Sequence, residues 1–333
     1  MEYVLLGSSN LRVSVIAFGA WQIGDATFWG KSDEKEVKEV IDYAIDIGIN
    51  LFDTAEMYGS GESEAQLGRM IDKGKRSKII IATKVSPQNC HSEQLIRSCE
   101  ESLKRLNTDY IDLYQIHWPP KDIPFGEVAL TMKKLQEQGK IRYIGISNFG
   151  IQNMQEWFHQ GGIAVSNQIG YNLLFRSPEY EIVPFCREKN IGVLVYMPLM
   201  QGLLAGCWSS VEEIPLLRRR TRHFSKNRPG TRHGEEGCER LTIETVQAIH
   251  ALSQHLEIPM ATLSLSWLKW QKGVSSIIVG CRSKAQMESN IEALSKPLDP
   301  EVLSLLNEIT YPLKRYMGKN ADMWENEKNA RIQ

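Results

Sequence analysis

The stretch IIIATKVSPQNCHSEQLIRSCEESLKRLNTDYIDLYQIH, residues 79–117, predicts the architecture of the chain. Two short apolar runs, Ile79–Lys84 and Ile111–His117, have the length and the β-branched content of buried strands. Between them, Ser92–Leu106 carries apolar residues at helical spacing, with Ser92 as a candidate N-cap. Because a strand, a helix and a second strand follow one another within about 30 residues, this stretch predicts a βαβ unit with parallel strands.

The same alternation of strand and helix patterns continues along the chain in both directions. It predicts an α/β fold of the closed (β/α)8 type, the TIM barrel, forming a single domain over residues 1–333. The predicted strands are Val15–Phe18, Asn50–Asp53, Ile79–Lys84, Ile111–His117, Tyr143–Ser147, Ala164–Gln168, Gly192–Tyr196 and Ser276–Val279. The predicted helices are Asp33–Ile47, Ser63–Lys73, Ser92–Leu106, Phe125–Gln138, Ile151–Gln160, Glu179–Lys189, Met260–Gln271 and Lys284–Ala293.

Three segments lie outside this repeat. An N-terminal β-hairpin is predicted from Tyr3–Leu6 and Leu11–Val13, with a turn between them. Between the seventh and eighth strands, an insertion contains the basic loop, Trp208–Glu239, and an extra helix, Thr242–Leu256. After the eighth helix come a further helix, Pro300–Ile309, and a polar tail. Because long insertions at the C-terminal edge of a barrel usually bind ligands or cover the site, we expect the basic loop to serve the active site.

A doubly wound sheet is the alternative architecture for this order of elements. Its dinucleotide-binding loop needs three glycines between a strand and a helix, in the pattern GxGxxG. Gly59-Ser60-Gly61 lacks the third glycine and the tight strand-to-helix turn. The barrel is therefore favoured.

Composition restricts the classes of partner. The 333 residues are 42% hydrophobic and carry a formal net charge of −1, which argues against a polyanion such as nucleic acid as the main partner. No apolar stretch is as long as a membrane span, and no secretory signal pattern is visible. The six cysteines are scattered, as in proteins of a reducing compartment, so we expect a cytoplasmic protein without a membrane partner or a metal site.

Polar side chains stand at the C-terminal ends of three successive predicted strands. These are Asp53, Lys84 and His117, and Tyr58 follows Asp53 by five residues. In a (β/α)8 barrel all of them would lie on the face where active sites are built. A lysine ammonium favours the phenolate form of a nearby tyrosine, so Lys84 would lower the pKa of Tyr58 and Asp53 would hold Lys84.

With His117 as a hydrogen-bond donor to a carbonyl oxygen, this group suits carbonyl reduction. The proton would come from Tyr58, acting as general acid. Since no side chain donates hydride, a reduced cofactor is required.

The same residues resemble a known family, the aldo-keto reductases. The stretch FDTAEMYGSGESEAQLG, Phe52–Gly68, is similar to a signature of that family and contains Asp53 and Tyr58, with Glu64 and Gly68 in supporting positions. Lys84 and His117 match its remaining catalytic positions. Further matches keep their order and spacing, so the resemblance covers about residues 7–309: GISNF (Gly145–Phe149), NQIGYN (Asn167–Asn172), VYMPLMQGLL (Val195–Leu204) and VGCRSKAQMESN (Val279–Asn290).

The resemblance implies NADPH, held in extended form across the barrel. Ser147, Asn148 and Gln168 would bind the nicotinamide carboxamide, Tyr196 would stack on the ring, and Trp21, Gln22 and Asp53 would lie beside it. The loop with Pro198, Leu199, Gln201, Gly202 and Leu203 would offer backbone N–H groups to the pyrophosphate, with Gly202 allowing close approach.

The resemblance also places the adenosine end of the cofactor at the last predicted helix. Gly280, Arg282, Ser283 and Lys284 enter this helix, and helix N-termini attract phosphate. Arg282, Ser283 and Lys284 would surround the 2′-phosphate, while Gln286 and Asn290, four residues apart on one face, would reach the adenosine.

Substrate and assembly are less sharply defined by the sequence. A small carbonyl compound would enter a pocket lined by Trp21, Trp29, Met57, Trp118 and Phe149, and the chain would be a monomer or a homo-oligomer. The run Arg218–His223 is either a solvated loop or a strap that draws in phosphates. Two other functions stay open: a cofactor-binding regulatory subunit, like the potassium-channel β-subunits, or a lyase with Lys84 as Schiff-base nucleophile.

Overall fold

A computed structural model describes residues 1–295 and 297–333 and contains a closed barrel of eight parallel strands. Each strand pairs with its neighbours in chain order, and the last closes on the first. The predicted (β/α)8 barrel is confirmed, and every predicted strand is present with ends that differ by at most two residues. The barrel strands are β3 (Ile16–Gly19), β4 (Leu51–Asp53), β5 (Ile80–Val85), β6 (Ile111–Ile116), β7 (Ile141–Ser147), β8 (Ser166–Gly170), β9 (Gly192–Tyr196) and β10 (Val274–Gly280).

The predicted N-terminal hairpin is also present and lies outside the barrel sheet. Its strands, β1 (Tyr3–Leu5) and β2 (Arg12–Ser14), are antiparallel, with Val4 opposite Val13. Leu6, Leu11 and Val13 pack with the inward-facing apolar side chains of the barrel. The hairpin therefore closes the N-terminal end of the barrel.

Helices alternate with the strands as predicted. The barrel helices are α3 (Glu34–Asp46), α4 (Glu62–Met70), α5 (Ser92–Arg105), α6 (Phe125–Glu137), α7 (Ile151–His159), α8 (Ile182–Glu188), α10 (Met260–Lys269) and α11 (Lys284–Ser295). The additional helices are α1 (Trp21–Gly24), α2 (Ala26–Trp29), α9 (Glu239–Leu256) and α12 (Pro300–Met317).

The helices differ from the prediction in several places. His91, not Ser92, is the N-cap of α5, and Ser92 instead bonds through its N–H and hydroxyl to the carboxylate of Glu127 on α6. The short helices α1 and α2 were not predicted, because four residues are too few to show a periodicity. Helix α12 continues to Met317 although Pro312 lies within it.

The side-chain period of two along each strand produces two separate cores. Side chains such as Phe52, Ile81 and Ile116 face outward and form the large core between the strands and the helices. Side chains such as Leu51, Ala82 and Leu113 face inward and fill the barrel. Nearer the C-terminal ends of the strands, the same inward-facing positions carry the polar residues predicted to form the site.

Three segments border the C-terminal ends of the strands, which we call the mouth. They are the loop with α1 and α2, the basic loop, and the tail, residues 318–333. Arg222 of the basic loop donates to the carbonyls of Met317 and Asn320 and so fixes the start of the tail. None of the described helices is both long and apolar enough to cross a membrane.

Candidate active site

Lys84 is the centre of the polar group at the mouth. Its side chain is fully buried, and its Nζ donates to Asp53 Oδ1 at 2.7 Å, to the Thr54 carbonyl at 2.8 Å and to the Tyr58 hydroxyl at 3.3 Å. These three contacts use all three N–H bonds of the ammonium group. Because Tyr58 accepts from Lys84, its own O–H is left to donate to another molecule.

His117 stands beside Tyr58. The two rings meet edge to face with centroids 5.5 Å apart, and Nδ1 of His117 is buried without a partner among the described residues. Burial, and then the positive charge of Lys84, hold the pKa of His117 well below its ordinary value. The imidazole is therefore neutral at physiological pH and can donate one hydrogen bond.

The low pKa expected for Tyr58 is not found, although Lys84 donates a hydrogen bond to its oxygen. Burial, and then the negative charge of Asp53, raise the pKa of Tyr58 well above its ordinary value. Asp53 lies so close to Lys84 that its negative charge offsets much of the effect of the Lys84 charge on Tyr58. Tyr58 is therefore a protonated phenol at neutral pH.

Burial acts in the opposite direction on Lys84. It lowers the pKa of the ammonium, while Asp53, and more distantly Glu64, favour the charged form. Glu64 is itself fully buried on α4, where it accepts from the Thr83 hydroxyl and pairs with Arg105 at 2.7 Å. Gly68 permits this packing, because a Cβ there would lie 2.2 Å from the Arg105 carbonyl oxygen.

The residues predicted to hold the nicotinamide are brought together beside this group. Gln168 Nε2 donates to Asp53 Oδ2 at 2.7 Å and so links β8 to the polar group around Lys84. Asn148 Nδ2 donates to the Ser147 hydroxyl and to the His117 carbonyl, and its Oδ1 accepts from the Tyr196 hydroxyl at 2.8 Å. Trp21 stacks on Tyr58 with ring centroids 5.7 Å apart.

Gln22 and Gly280 meet where β10 ends. A Cβ on Gly280 would lie 2.6 Å from the amide of Gln22, so a larger residue there would require that side chain to shift. The loop with Pro198, Leu199, Gln201 and Leu203 follows β9, and both Gln201 and Gly202 have positive φ. A Cβ on Gly202 would lie 2.7 Å from the Trp208 ring, so in this structure glycine admits that ring, and the approach of a pyrophosphate stays a prediction.

Only some of the residues predicted to surround a 2′-phosphate lie close together. Arg282 Nη1 donates to the Trp29 carbonyl at 2.7 Å, which brings the guanidinium to the loop of α1 and α2. Ser283 and Gln286 cap the start of α11. The Gln286 side chain accepts from the Arg282 N–H, and the Gln286 N–H donates to the Ser283 hydroxyl. Lys284 lies instead over the Tyr43 ring and near Glu288, and Asn290 is buried.

Arg218 belongs to this region, although the sequence did not single it out. Its guanidinium lies over the rings of Trp29 and Trp208, at 4.8 and 5.2 Å, and donates to the Gln201 carbonyl. Burial lowers the pKa of Arg218, and nearby Arg282 acts in the same direction. Among the described residues no carboxylate pairs with Arg218 or Arg282. The basic run was the available signal, but its spacing could not distinguish this arginine from its neighbours.

The pocket predicted for the substrate needs one correction. Phe149 is fully buried in the outer core, stacked on Phe125 at 5.5 Å, because the chain turns outward after Asn148 at the end of β7. The tail supplies Trp324 instead. Its ring meets Trp118 at 5.7 Å and lies nearly parallel to Tyr196 at 6.3 Å.

The tail is held in place by an ion pair that the sequence did not predict. Arg331 binds the buried Asp322 carboxylate through Nε and Nη2, at 2.9 and 3.0 Å. Its guanidinium also lies 3.5 Å from the centroid of the Trp118 ring. The backbone of Gln333 exchanges two hydrogen bonds with Asn153 on α7. Residues 318–333 thus form one side of the mouth.

Comparisons with known proteins point to one family. A sequence model described as the Aldo/keto reductase family matches residues 15–310. The aldo-keto reductase YhdN of Bacillus subtilis is 34% identical over 93% of this chain and 93% of its own length. An NADH-specific methylglyoxal reductase of Escherichia coli is 29% identical over 95% of this chain and 100% of its own length. The crystal structure of an aldo-keto reductase from Klebsiella pneumoniae in complex with NADPH is 27% identical, with a TM-score of 0.72, and the match covers 93% of this chain and 95% of that one.

Proposed function

Because this chain belongs to the aldo/keto reductase family, we propose that it is a reversible reductase of aldehydes and ketones, sugars included, with NADPH as the reductant. The observation that carries the proposal is the contact of Lys84 with both Asp53 and Tyr58 at the mouth of the barrel. This arrangement presents a phenol O–H and a neutral imidazole to one space, as protonation of a carbonyl oxygen requires.

The residues around the mouth suit NADPH. Arg218 and Arg282 form a cationic site without a paired carboxylate in the described part of the chain, and a phosphate would supply the missing negative charge. Ser147, Asn148 and Gln168 would hold the carboxamide, and Tyr196 would stack on the ring. When bound, NADPH supplies the hydride that adds to the carbonyl carbon.

The protein's own residues handle the proton. Tyr58 gives its O–H proton to the carbonyl oxygen, and its raised pKa keeps that proton in place until the oxygen becomes basic. Lys84 already donates to the Tyr58 oxygen, so it stabilises the phenolate left behind. Asp53 fixes Lys84 in that position, and His117 donates to the carbonyl oxygen. Together these residues stabilise the negative charge that develops on the carbonyl and Tyr58 oxygens only during the reaction.

The comparisons support a small aldehyde as substrate but differ on the cofactor. The relative from Escherichia coli is named for NADH and methylglyoxal, whereas the Klebsiella structure contains NADPH. NADH lacks the 2′-phosphate and would leave Arg218 and Arg282 without an anionic partner at that end. The two arginines therefore favour NADPH for this chain.

The Schiff-base alternative is disfavoured by the contacts of Lys84. A nucleophilic amine must lose a proton and reach the substrate, but Lys84 is fully buried and its three N–H bonds are used.

A panel of aldehydes and ketones, including methylglyoxal and open-chain sugars, would test the proposal with NADPH and NADH separately. We expect loss of reduced-nicotinamide absorbance only when a carbonyl compound is present, and an alcohol product by mass spectrometry. No turnover with any compound, together with tight NADPH binding, would instead favour the regulatory subunit. A borohydride-trapped adduct on Lys84 would favour the lyase.

A further inference from the structure

The barrel interior contains two polar groups that the proposed mechanism does not use. They lie one layer of inward-facing side chains below the catalytic residues. Gln115 lies on β6 two residues before His117, and Ser166 lies on β8 two residues before Gln168. Because side chains on one face of a strand are two residues apart, both point into the barrel. Both are fully buried.

Neither group has a hydrogen-bond partner among the described residues. This holds for Oε1 and Nε2 of Gln115 and for Oγ of Ser166. Burying an amide or hydroxyl without a partner is costly, so native structures satisfy such groups with protein or with ordered water. Three unsatisfied polar atoms in one region therefore point to a bound molecule.

Gly145 of β7 lets the two polar side chains come together. A Cβ at this position would lie 2.7 Å from Ser166 Oγ and 2.9 Å from Gln115 Cγ, so a larger residue would push both side chains aside. Leu113 Cδ1, at 3.1 Å from the same point, packs against them. A water molecule needs two to four polar partners, and this site offers three polar atoms.

The site adjoins Lys84. In the barrel register Lys84 of β5 is paired with Gln115, and Gln115 is paired with Gly145. Paired residues of neighbouring strands are about 4.8 Å apart, so the amide of Gln115 flanks the stem of Lys84 within the barrel.

We propose that Gln115 and Ser166 bind an internal water molecule beside Lys84, and that this hydrated pair helps to keep the Lys84 ammonium charged inside the barrel. Gln115 and Ser166 are thus positioning residues for Lys84 and do not touch substrate. The inference rests on the proposed function, in which the positive charge of Lys84 stabilises the Tyr58 phenolate.

Other charged or titratable groups also act on Lys84. Asp53 on β4 contacts the ammonium directly, Tyr58 lies above it, His117 stands on β6, and Glu64 acts from α4. Burial opposes the charged form of Lys84. Asp53 offsets this desolvation cost from β4, and the hydrated pair would offset part of it from the opposite side. Replacing the pair with apolar groups should therefore make Lys84 easier to deprotonate.

The first test is structural. A crystal structure of the full chain at high resolution should show one ordered water bonded to both Gln115 and Ser166. The double variant Gln115→Met with Ser166→Ala keeps the side-chain volume and should lack that water. A direct hydrogen bond between Gln115 and Ser166, with no water between them, would overturn the proposal.

The second test measures Lys84 without relying on turnover. Lysine labelled with ¹³C at Cε reports its own titration by NMR, and Lys84→Met identifies the resonance. In the double variant the midpoint for Lys84 should fall by roughly one pH unit or more, a shift of the size that local solvation produces. Ser177→Ala is the matched control, since its hydroxyl is equally buried and unpartnered but belongs to the turn Ser177–Glu179.

The outcomes separate this inference from the proposed function. If carbonyl reduction is found but the midpoint of Lys84 is the same in wild type and the double variant, the hydrated pair has no effect on Lys84 and the inference fails alone. If no carbonyl is reduced but the water and the shift are found, the site stands and the proposed function fails. If the double variant does not fold, Gln115→Met and Ser166→Ala are titrated singly, and each should move the midpoint in the same direction.

Discussion

Burial favours the neutral form of both Tyr58 and Lys84, with opposite consequences for their proposed roles. For Tyr58 the neutral form is the proposed acid, so burial preserves the proton that the proposed reduction would consume. For Lys84 the neutral form is inactive, so the protein must supply compensating contacts, which are Asp53 and the Thr54 carbonyl. The hydrogen bond of 3.3 Å between them becomes stronger when the phenolate forms, because one partner then carries a full negative charge.

Tyr58→Phe removes the proton donor and leaves the ring in place against Trp21. Turnover of a good substrate should fall by about 10²-fold or more, because general acid catalysis is lost. The dissociation constant for NADPH should change little, since the hydroxyl faces the substrate. Steady-state kinetics and fluorescence titration measure the two quantities, and a variant that keeps most of its turnover would exclude Tyr58 as the acid.

Lys84→Met removes the charge that stabilises the phenolate. In wild type, turnover should fall as pH rises through the pKa of Lys84, which burial places below its ordinary value, because the neutral amine no longer stabilises the phenolate. The variant should be slow at every pH and should lack this alkaline fall. Turnover measured between pH 6 and pH 10 would show it, and an active variant with the wild-type profile would contradict the assignment.

At this scale the sequence identified polar residues that the structure brings together at the mouth, but not their electrostatics. Asp53, Lys84 and His117 could be found because each polar side chain ends an apolar run. The raised pKa of Tyr58 could not, because it depends on how closely Asp53 approaches Lys84 in three dimensions. Gln115 was also missed, since a glutamine inside an apolar strand pattern gives no sign of its partners.

Among the elements, strands were easier to predict than helix ends. Barrel strands are buried on both faces, so they appear as apolar runs whatever surrounds them. Helix ends depend on contacts made elsewhere. Helix α12 shows this, because Leu313 and Met317 are buried and hold its last turns against the rest of the protein beyond Pro312. Packing therefore outweighs the unfavourable proline.

Pro312→Ala tests that explanation. A proline inside a helix removes a backbone hydrogen bond and crowds the preceding turn, at a cost of about 3 kcal/mol relative to alanine. Part of this is offset because proline also restricts the unfolded chain, by about 0.4–1 kcal/mol. We expect the variant to be more stable by about 2–2.6 kcal/mol in denaturant unfolding. Leu305→Ala, on the same exposed face, should have little effect, and a destabilised Pro312→Ala would contradict this account.

The tail depends on one carboxylate. Asp322 is fully buried and accepts from the Trp324 N–H as well as from Arg331, so it fixes both residues that border the substrate side of the mouth. In Asp322→Ala we expect faster proteolysis within residues 318–333 and a higher KM for the carbonyl substrate, with the barrel intact by circular dichroism. Glu327→Ala changes an exposed carboxylate of the same tail and serves as the control. Equal proteolysis of the two variants would show that the ion pair does not hold the tail.

For the molecule as a whole, the proposed cofactor site joins segments that are far apart in the chain. Trp29 follows β3, Arg218 belongs to the insertion after β9, and Arg282 follows β10. The barrel closes between β10 and β3, which brings the first and last of these segments together. The sequence predicted Arg282 from its place before a helix, but Arg218 required the folded insertion. No local pattern could show that its guanidinium lies between two indole rings.

Cofactor preference tests this arrangement. A charge-assisted contact with the 2′-phosphate contributes on the order of 1.5–3 kcal/mol, about 10- to 100-fold in affinity. Wild type should therefore bind NADPH more tightly than NADH by at least about 10-fold. Arg282→Ala should weaken NADPH binding selectively, because NADH has no phosphate there to lose. The preference should also decline as salt concentration rises, since Arg282 is accessible to solvent ions.

Arg218→Ala distinguishes the two arginines within the same measurement. If Arg218 supports the 2′-phosphate together with Arg282, its loss should also affect NADPH more than NADH. If Arg218 binds the pyrophosphate instead, both cofactors should weaken equally, because both contain that group. Quenching of tryptophan fluorescence gives all the dissociation constants, with Arg240→Ala on α9 as an exposed control. Equal losses of NADPH and NADH in Arg282→Ala would mean that Arg282 only supports the loop through the Trp29 carbonyl, and the 2′-phosphate site would have to be placed elsewhere.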